Sequence, residues 1–206
     1  MARTKLKRIM ALLLDPNYNP ISKYELAKKA GCTPSWVIMT IKNFEKQGIV
    51  KGLNVKNSRK LFNIFDKMRP KKQISRSYSI YQFDSINKLI ELLQKFGREY
   101  AFTTYTAENI IQKYLFSHRV DVYVKKEELE DWHKELTKIG TYGGGNIRIM
   151  VSTQDEMFNK KQIGEKGPWI VNMPQLISDL YREGGPAKEA GDMLLENLVK
   201  KIEAKK

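Results

Sequence analysis

The sequence predicts an α+β fold in two parts: a small basic helical domain, then a larger mixed α/β domain with a small sheet and C-terminal helices. Three observations predict it. All the excess positive charge lies in the first third of the chain. That third is punctuated by helix caps and glycines at short intervals. The remainder alternates strand-like and helix-like segments. The 206 residues suit one large domain or two modest ones, and a 41% apolar share suits a chain that buries a core. The longest obvious apolar run, "IMALLL", is far below the roughly 18 residues of a membrane span. "MARTKLKR" is followed by no apolar stretch and small-residue cleavage site, so no secretory signal is expected. The single cysteine, Cys32, excludes an intrachain disulfide framework. Cytoplasmic location with no membrane contact is the expectation.

Net charge is +14, and its distribution is uneven. Residues 1–76 carry 18 Lys/Arg against 4 Asp/Glu, whereas residues 77–206 carry 19 of each. A basic third joined to a neutral body suggests a polyanion-binding module attached to something else. Double-stranded DNA is the expected polyanion, because no basic amphipathic helix with exposed aromatics suggests a membrane surface.

Within the basic third, Leu6, Ile9, Met10, Leu13 and Leu14 recur at helical spacing until "DPNYNP" stops the first helix. Ser22 and Glu25 form a capping box for a second helix that ends at Gly31. A third helix starts at Thr33–Pro34 and stops at Gly48. "IVKGLNV" and "KLFNIF" read as two strands joined by the basic turn "KNSR". This order resembles a winged helix-turn-helix domain over about residues 3–65, assigned here as 1–66. Residues 67–77 read as a basic linker and 78–206 as the α/β domain.

That resemblance places Val37, Ile41 and Phe44 on the buried side of the third helix. Ser35, Trp36, Met39, Lys42 and Asn43 then face the major groove, and Lys56, Asn57, Ser58, Arg59 and Lys60 form a basic wing. Lys42 and Asn43 can donate to base edges or phosphate; Met39 and Trp36 cannot read a hydrogen-bond code. A competing reading has Trp36, Ile38 and Met39 pack against a protein surface. Arg3, Lys5, Lys7 and Arg8 are either a further phosphate-binding arm or the exposed face of the first helix. Lys67, Arg69, Lys71, Lys72 and Arg76 either extend the footprint or solubilise the linker.

In the neutral two thirds, "YSIYQF", "YAFTTY", "RVDVYV", "GGGNIRIMVS" and "PWIVN" read as strands or extended runs. Asp84 is the expected cap of "SINKLIELLQKFG" and Thr106 of "AENIIQKYLF". "KEELEDWHKELTKIG" reads as a helix, and two closing helices break at Gly184–Gly185. His118 and His133 have no second ligand at metal spacing, and "GGGN" lacks the Lys and Ser/Thr of a phosphate loop. Glu127, Glu128, Glu130 and Asp131 read as a solvated face, and Asp179 as a cap or a partner of Arg182 or Lys188. No catalytic residue, cofactor or metal is therefore expected. Leu194, Leu198 and Ile202 form a stripe that would serve a homodimer or the core.

"YAFTTYTAENIIQKYL", "RVDVYV" and "VNMPQLISDLYREGGPAKEAGDMLLENL" resemble the C-terminal half of AbiEi-type antitoxins of type IV toxin–antitoxin systems. The matching positions are Pro174, Gln175, Asp179, Leu180, Gly184, Gly185, Ala187 and Ala190. The resemblance implies a DNA-binding transcriptional repressor of its own operon that counters a nucleotidyltransferase-like partner toxin. The alternatives are a nucleic-acid-processing enzyme and a partner-sensing winged-helix regulator without a toxin.

Overall fold

The computed structural model describes residues 2–70, 72–81, 85–152 and 156–204. Contacts divide the chain into two compact units: Met1–Arg69, Met173–Ser178 and Gly191–Lys206 in the first, Pro70–Asn172 and Asp179–Ala190 in the second. The first boundary falls inside the expected 67–77 linker. The closing helices do not stay with the second part: α8 (Met173–Glu183) and α9 (Gly185–Glu203) each give one end to either unit.

In the first unit the apolar residues of "IMALLL" are too many for one helix face. α1 (Ala2–Leu13) buries Ile9, Met10, Ala11, Leu12 and Leu13, and Leu14 follows them inside. A helical segment apolar all round, as the second half of α1 is, belongs in an interior; α1 packs against α2 (Lys23–Ala30) and α4 (Ser58–Asp66). Each full-size aliphatic side chain enclosed this way contributes roughly 1.5–3 kcal/mol. Lys7 is drawn in as well, its ammonium 5.3 Å above the Phe65 ring. Arg3 donates to the Arg69 carbonyl at 3.2 Å. The expected N-terminal arm is thus partly committed to packing.

The expected capping box at α2 appears in altered form: Ser22 Oγ accepts from Glu25 N at 3.1 Å as an N-cap, but Glu25 Oε2 reaches one residue past the cap and accepts from Ile21 N at 2.8 Å. Gly31, at φ +67, reverses the chain into α3 (Pro34–Lys46) after a three-residue turn. The hairpin that follows is much smaller than a wing. β1 (Val50–Lys51) and β2 (Asn54–Val55) pair across Gly52–Leu53, whose first amide donates to Glu45 Oε1 at 2.8 Å.

The expected second wing strand, "KLFNIF", lies in α4, a correction with a clear cause. Asn57 Oδ1 accepts from Lys60 N at 2.9 Å as an N-cap, and Ser58, Leu61, Phe62 and Phe65 recur at spacings of three, one and three on the buried side. The basic turn of the sequence reading is therefore the first turn of a helix. The C-terminal stripe of Leu194, Leu198 and Ile202 is buried within the chain, so it is core and not an open dimer face.

In the second unit, the described residues form a seven-stranded mixed sheet. Its strands are β3 (Ser75–Ser79), β4 (Tyr100–Phe102), β5 (Val120–Lys125), β6 (Thr141–Tyr142), β7 (Ile147–Ser152), β8 (Lys161–Gln162) and β9 (Trp169–Ile170). The order is β6-β3-β7-β5-β4-β9-β8; β5 runs parallel to β7, and β4 to β9. β5 is the central strand, buried from Val120 through Val124, as a near-continuous apolar run demands. α5 (Ile86–Lys95) buries Leu89, Ile90 and Leu93, and α7 (Leu129–Ile139) buries Trp132 and Leu136.

Three expectations shift here. The strand placed at 78–83 begins earlier, at Ser75, because Ser75 to Tyr78 pair with Met150 to Ile147 of β7. The cap assigned to Asp84 lies outside the described residues; Ser85 occupies the N-cap of α5, accepting from Lys88 N at 3.4 Å. α6 (Thr104–Ile111) starts two residues before the expected Thr106 cap, with Thr103 at its N-cap. Thr106 is inside the helix, where Oγ1 accepts from Asp121 N at 2.8 Å.

Candidate nucleic-acid interface

α3 is defined at both ends by its sequence. Thr33 Oγ1 accepts from Trp36 N at 3.4 Å, Pro34 opens the first turn, and Ile49 N returns to Phe44 O at 2.9 Å across Gly48, at φ +67. Val37, Thr40, Ile41 and Phe44 are buried. That fixes the opposite face: Ser35, Met39, Lys42 and Lys46 follow one another at spacings of four, three and four, all exposed. Ile38 and Asn43 flank the row and are also exposed. Asn43 Oδ1 accepts from Gln47 Nε2 at 3.2 Å, which orients the amide.

The ten residues assigned to DNA contact divide on this geometry. Ser35, Met39, Lys42, Asn43 and Lys56 are exposed. Trp36 is half-buried and its indole Nε1 is enclosed without a hydrogen-bond partner, so it is not a fully outward side chain. The wing residues are the main correction. Ser58 is only 3% exposed. Asn57 caps α4, Arg59 is ion-paired with Glu196, and Lys60 Nζ donates to the Gln47 carbonyl at 2.9 Å, at the C-terminal end of α3. These four residues hold α4 in place; they do not form a loop tip.

Sequence reasoning missed two cations near this face. Lys46 continues the outward row one turn beyond Lys42, a position legible in the spacing. Lys51, exposed on β1, opens the short hairpin. Of the linker cations, Arg69 is paired with Asp66 at 3.1 Å and Arg76 with Glu130 at 2.6 Å; Lys71 lies outside the described residues. Charge nevertheless stays concentrated in the first unit. Residues 1–69 hold 15 Lys/Arg against 4 Asp/Glu, and residues 191–206 add four lysines against three acids. Cys32, in the turn before α3, is half-buried; burial pushes its thiol pKa up, against the pull of Lys5, and so favours the protonated thiol.

The second unit contains a polar cluster that sequence reasoning also missed. Asp121 points from the fully buried part of β5. Its Oδ1 accepts from Arg119 Nε at 2.7 Å and Arg148 Nε at 2.9 Å, and its Oδ2 accepts from the Thr104 hydroxyl. Glu183 Oε1 accepts from Arg148 Nη2 at 2.6 Å. Burial alone would lower the Arg148 pKa; Asp121 and Glu183 outweigh it and hold the guanidinium above its usual value. Arg119 and Glu183 also line a cavity of about 290 Å³ with Tyr105, Phe116, Ser117 and His118. Two guanidinium groups and two carboxylates cancel, and both carboxylates are already engaged, so the cluster serves packing better than acid–base chemistry. The available signal was "VDVYV": a carboxylate inside a buried strand requires a cationic partner.

Asp179 is buried within the second unit. It accepts from Thr103 Oγ1 at 2.7 Å and Tyr123 OH at 3.2 Å. Burial and the Asp179 charge push the Tyr123 phenol pKa well up. His133 Nδ1 lies 3.0 Å from Tyr78 OH. Asn146, after the glycine run, accepts from Ile80 N through Oδ1 at 3.0 Å and donates through Nδ2 to the Ile80 carbonyl at 2.8 Å, so "GGGN" is a turn between β6 and β7 tied to the residue after β3. Among the described residues, no cluster of His, Cys, Asp or Glu is arranged to hold a metal ion, and no helix is long and apolar enough to cross a membrane. Comparison with family models, characterised proteins and solved structures finds no match to this chain.

Proposed function

We propose that this chain is a DNA-binding transcriptional regulator whose first unit grips duplex DNA through the outward face of α3. One observation carries the reading: Lys42 and Lys46 lie in a single exposed row, with Asn43 beside it, on the unit that holds the excess positive charge. A row of this kind fits the major groove, with ammonium groups reaching phosphates or guanine edges and an amide suited to adenine. The α2–turn–α3 arrangement supports the reading, since groove-reading pairs are likewise two packed helices joined by a short turn. The hairpin is too short to act as the wing first expected, so the weight falls on α3, Lys51 and the neighbouring lysines.

In this proposal the first unit represses the chain's own operon, and the second unit supplies the antitoxin function that the AbiEi resemblance implies, opposition to a nucleotidyltransferase-like toxin. Fluorescence anisotropy with the full chain tests the DNA part. Lys42→Ala is expected to narrow the gap between a preferred and a random duplex. Lys51→Ala is expected to weaken both alike. Equal, negligible effects from both variants would remove α3 and the hairpin from the interface.

A further inference from the structure

Two side chains on α3 have exposure that the chain itself does not explain. Ile38 is 47% and Met39 56% exposed, although the helix already has a well-separated buried face. Both lie within one turn of Lys42, four and three residues before it, and Ser35 lies four before Met39. The outward face therefore presents two saturated carbon tips beside two ammonium groups. Neither Ile nor Met can match a donor–acceptor pattern. In the major groove the one apolar feature a base edge offers is the thymine C5 methyl group.

A protein partner would also cover Ile38 and Met39. Charge complementarity favours the polyanion: Lys42 and Lys46 share the row, no carboxylate stands in it, and neighbouring Glu45 is engaged by the Gly52 amide. Resting on the DNA-binding reading above, we propose that α3 selects its sites by enclosing thymine methyl groups against Ile38 and Met39, beside the base edge that Lys42 reaches, while Lys46 holds a flanking phosphate. Sequence choice would then depend on apolar contact more than on hydrogen bonding, which suits a face with few base-reading side chains.

The test uses the full chain and a duplex it selects from a random 20-base-pair library. The selected duplex is resynthesised with deoxyuridine in place of thymidine, which keeps every base-pairing group and removes only the methyl. Binding is expected to weaken about fourfold per contacted methyl and roughly fifteenfold for two, the factors that ~0.8 kcal/mol per CH₂-sized group gives. In Met39→Ala and Ile38→Ala, exposed positions whose truncation leaves the core intact, the thymidine-to-deoxyuridine ratio should fall toward one. Equal affinity of the unmodified chain for both duplexes overturns the methyl proposal while leaving DNA binding in place, and points to protein contact at this face. An unchanged ratio in both alanine variants also overturns it. Failure to retain any duplex at low salt removes the DNA-binding reading itself, and the methyl proposal with it.

Discussion

Asp121→Asn separates the buried ion network from the surface pairs around it. The substitution preserves shape and removes one charge from a residue with 0% exposure. Asp121 anchors Arg119 and Arg148, whose side chains are 34% and 18% exposed, so water and Glu183 still compensate part of the loss. Charge-assisted bonds contribute about 1.5–3 kcal/mol each, and rupture of a buried pair about 3–5 kcal/mol. With one carboxylate oxygen replaced by an amide and one guanidinium left short of an acceptor, a cost of about 3 kcal/mol follows. For a unit of about 115 residues, that lowers the melting temperature of the second unit by roughly 12 °C. Calorimetry would report it, with tryptophan fluorescence assigning the transition: Trp132 is in the second unit and Trp36 in the first, and the two units need not melt together. Arg76→Ala is the control, because Glu130 in that pair is 66% exposed and screened by water, so the melting temperature should barely move. If Asp121→Asn melts within 2 °C of the unaltered chain, or no lower than Arg76→Ala, the network does not hold the sheet together as argued.

Two other perturbations test local claims. Gly145 sits at φ +85 where a Cβ would overlap the Tyr78 carbonyl and the Ser79 side chain, whereas Gly143, at φ +101, faces open space. Gly145→Ala should therefore cost about 1–3 kcal/mol more than Gly143→Ala in urea denaturation; equal midpoints would contradict this placement of the turn. Hydrogen bonding from Lys125, helped by Lys160 and opposed by burial, holds the Glu99 carboxyl below its ordinary value of 4.5. A carboxyl depressed in the folded state adds stability above that value and loses it as pH falls through the folded pKa. The Tm gap between the unaltered chain and Glu99→Gln should accordingly be present at pH 7 and shrink below pH 4; a gap that widens in acid would reverse the assignment.

The parts of the fold legible in the sequence were those set by local chemistry. Ser22, Gly31, Thr33 and Gly48 each act within a few residues of themselves, and α2 and α3 begin and end where those residues require. Val37, Ile41 and Phe44 declared the buried side of α3, and with it the exposed row. "KLFNIF" misled because a short apolar run fits a strand or a helix equally well; the spacing of Ser58, Leu61, Phe62 and Phe65, with Asn57 ahead, was the arbiter. Thr103, Thr104 and Thr106 are interchangeable as sequence-level caps. The choice of Thr103 depends on Asp121, fifteen or more residues away, which engages the other two. The return of α9 to the first unit depends likewise on packing at long range. A stripe such as Leu194, Leu198 and Ile202 carries no mark of whether its cover is internal or a second copy.

The central claim is that a cationic first unit holds a phosphate polymer. Its most direct test is the binding of the full chain to a random-sequence duplex at 50, 100 and 200 mM salt. With about six phosphates neutralised, the account predicts a log–log slope near −5 and roughly a thousandfold loss of affinity across that range. A flat salt response, or no measurable binding even at 50 mM, would contradict it.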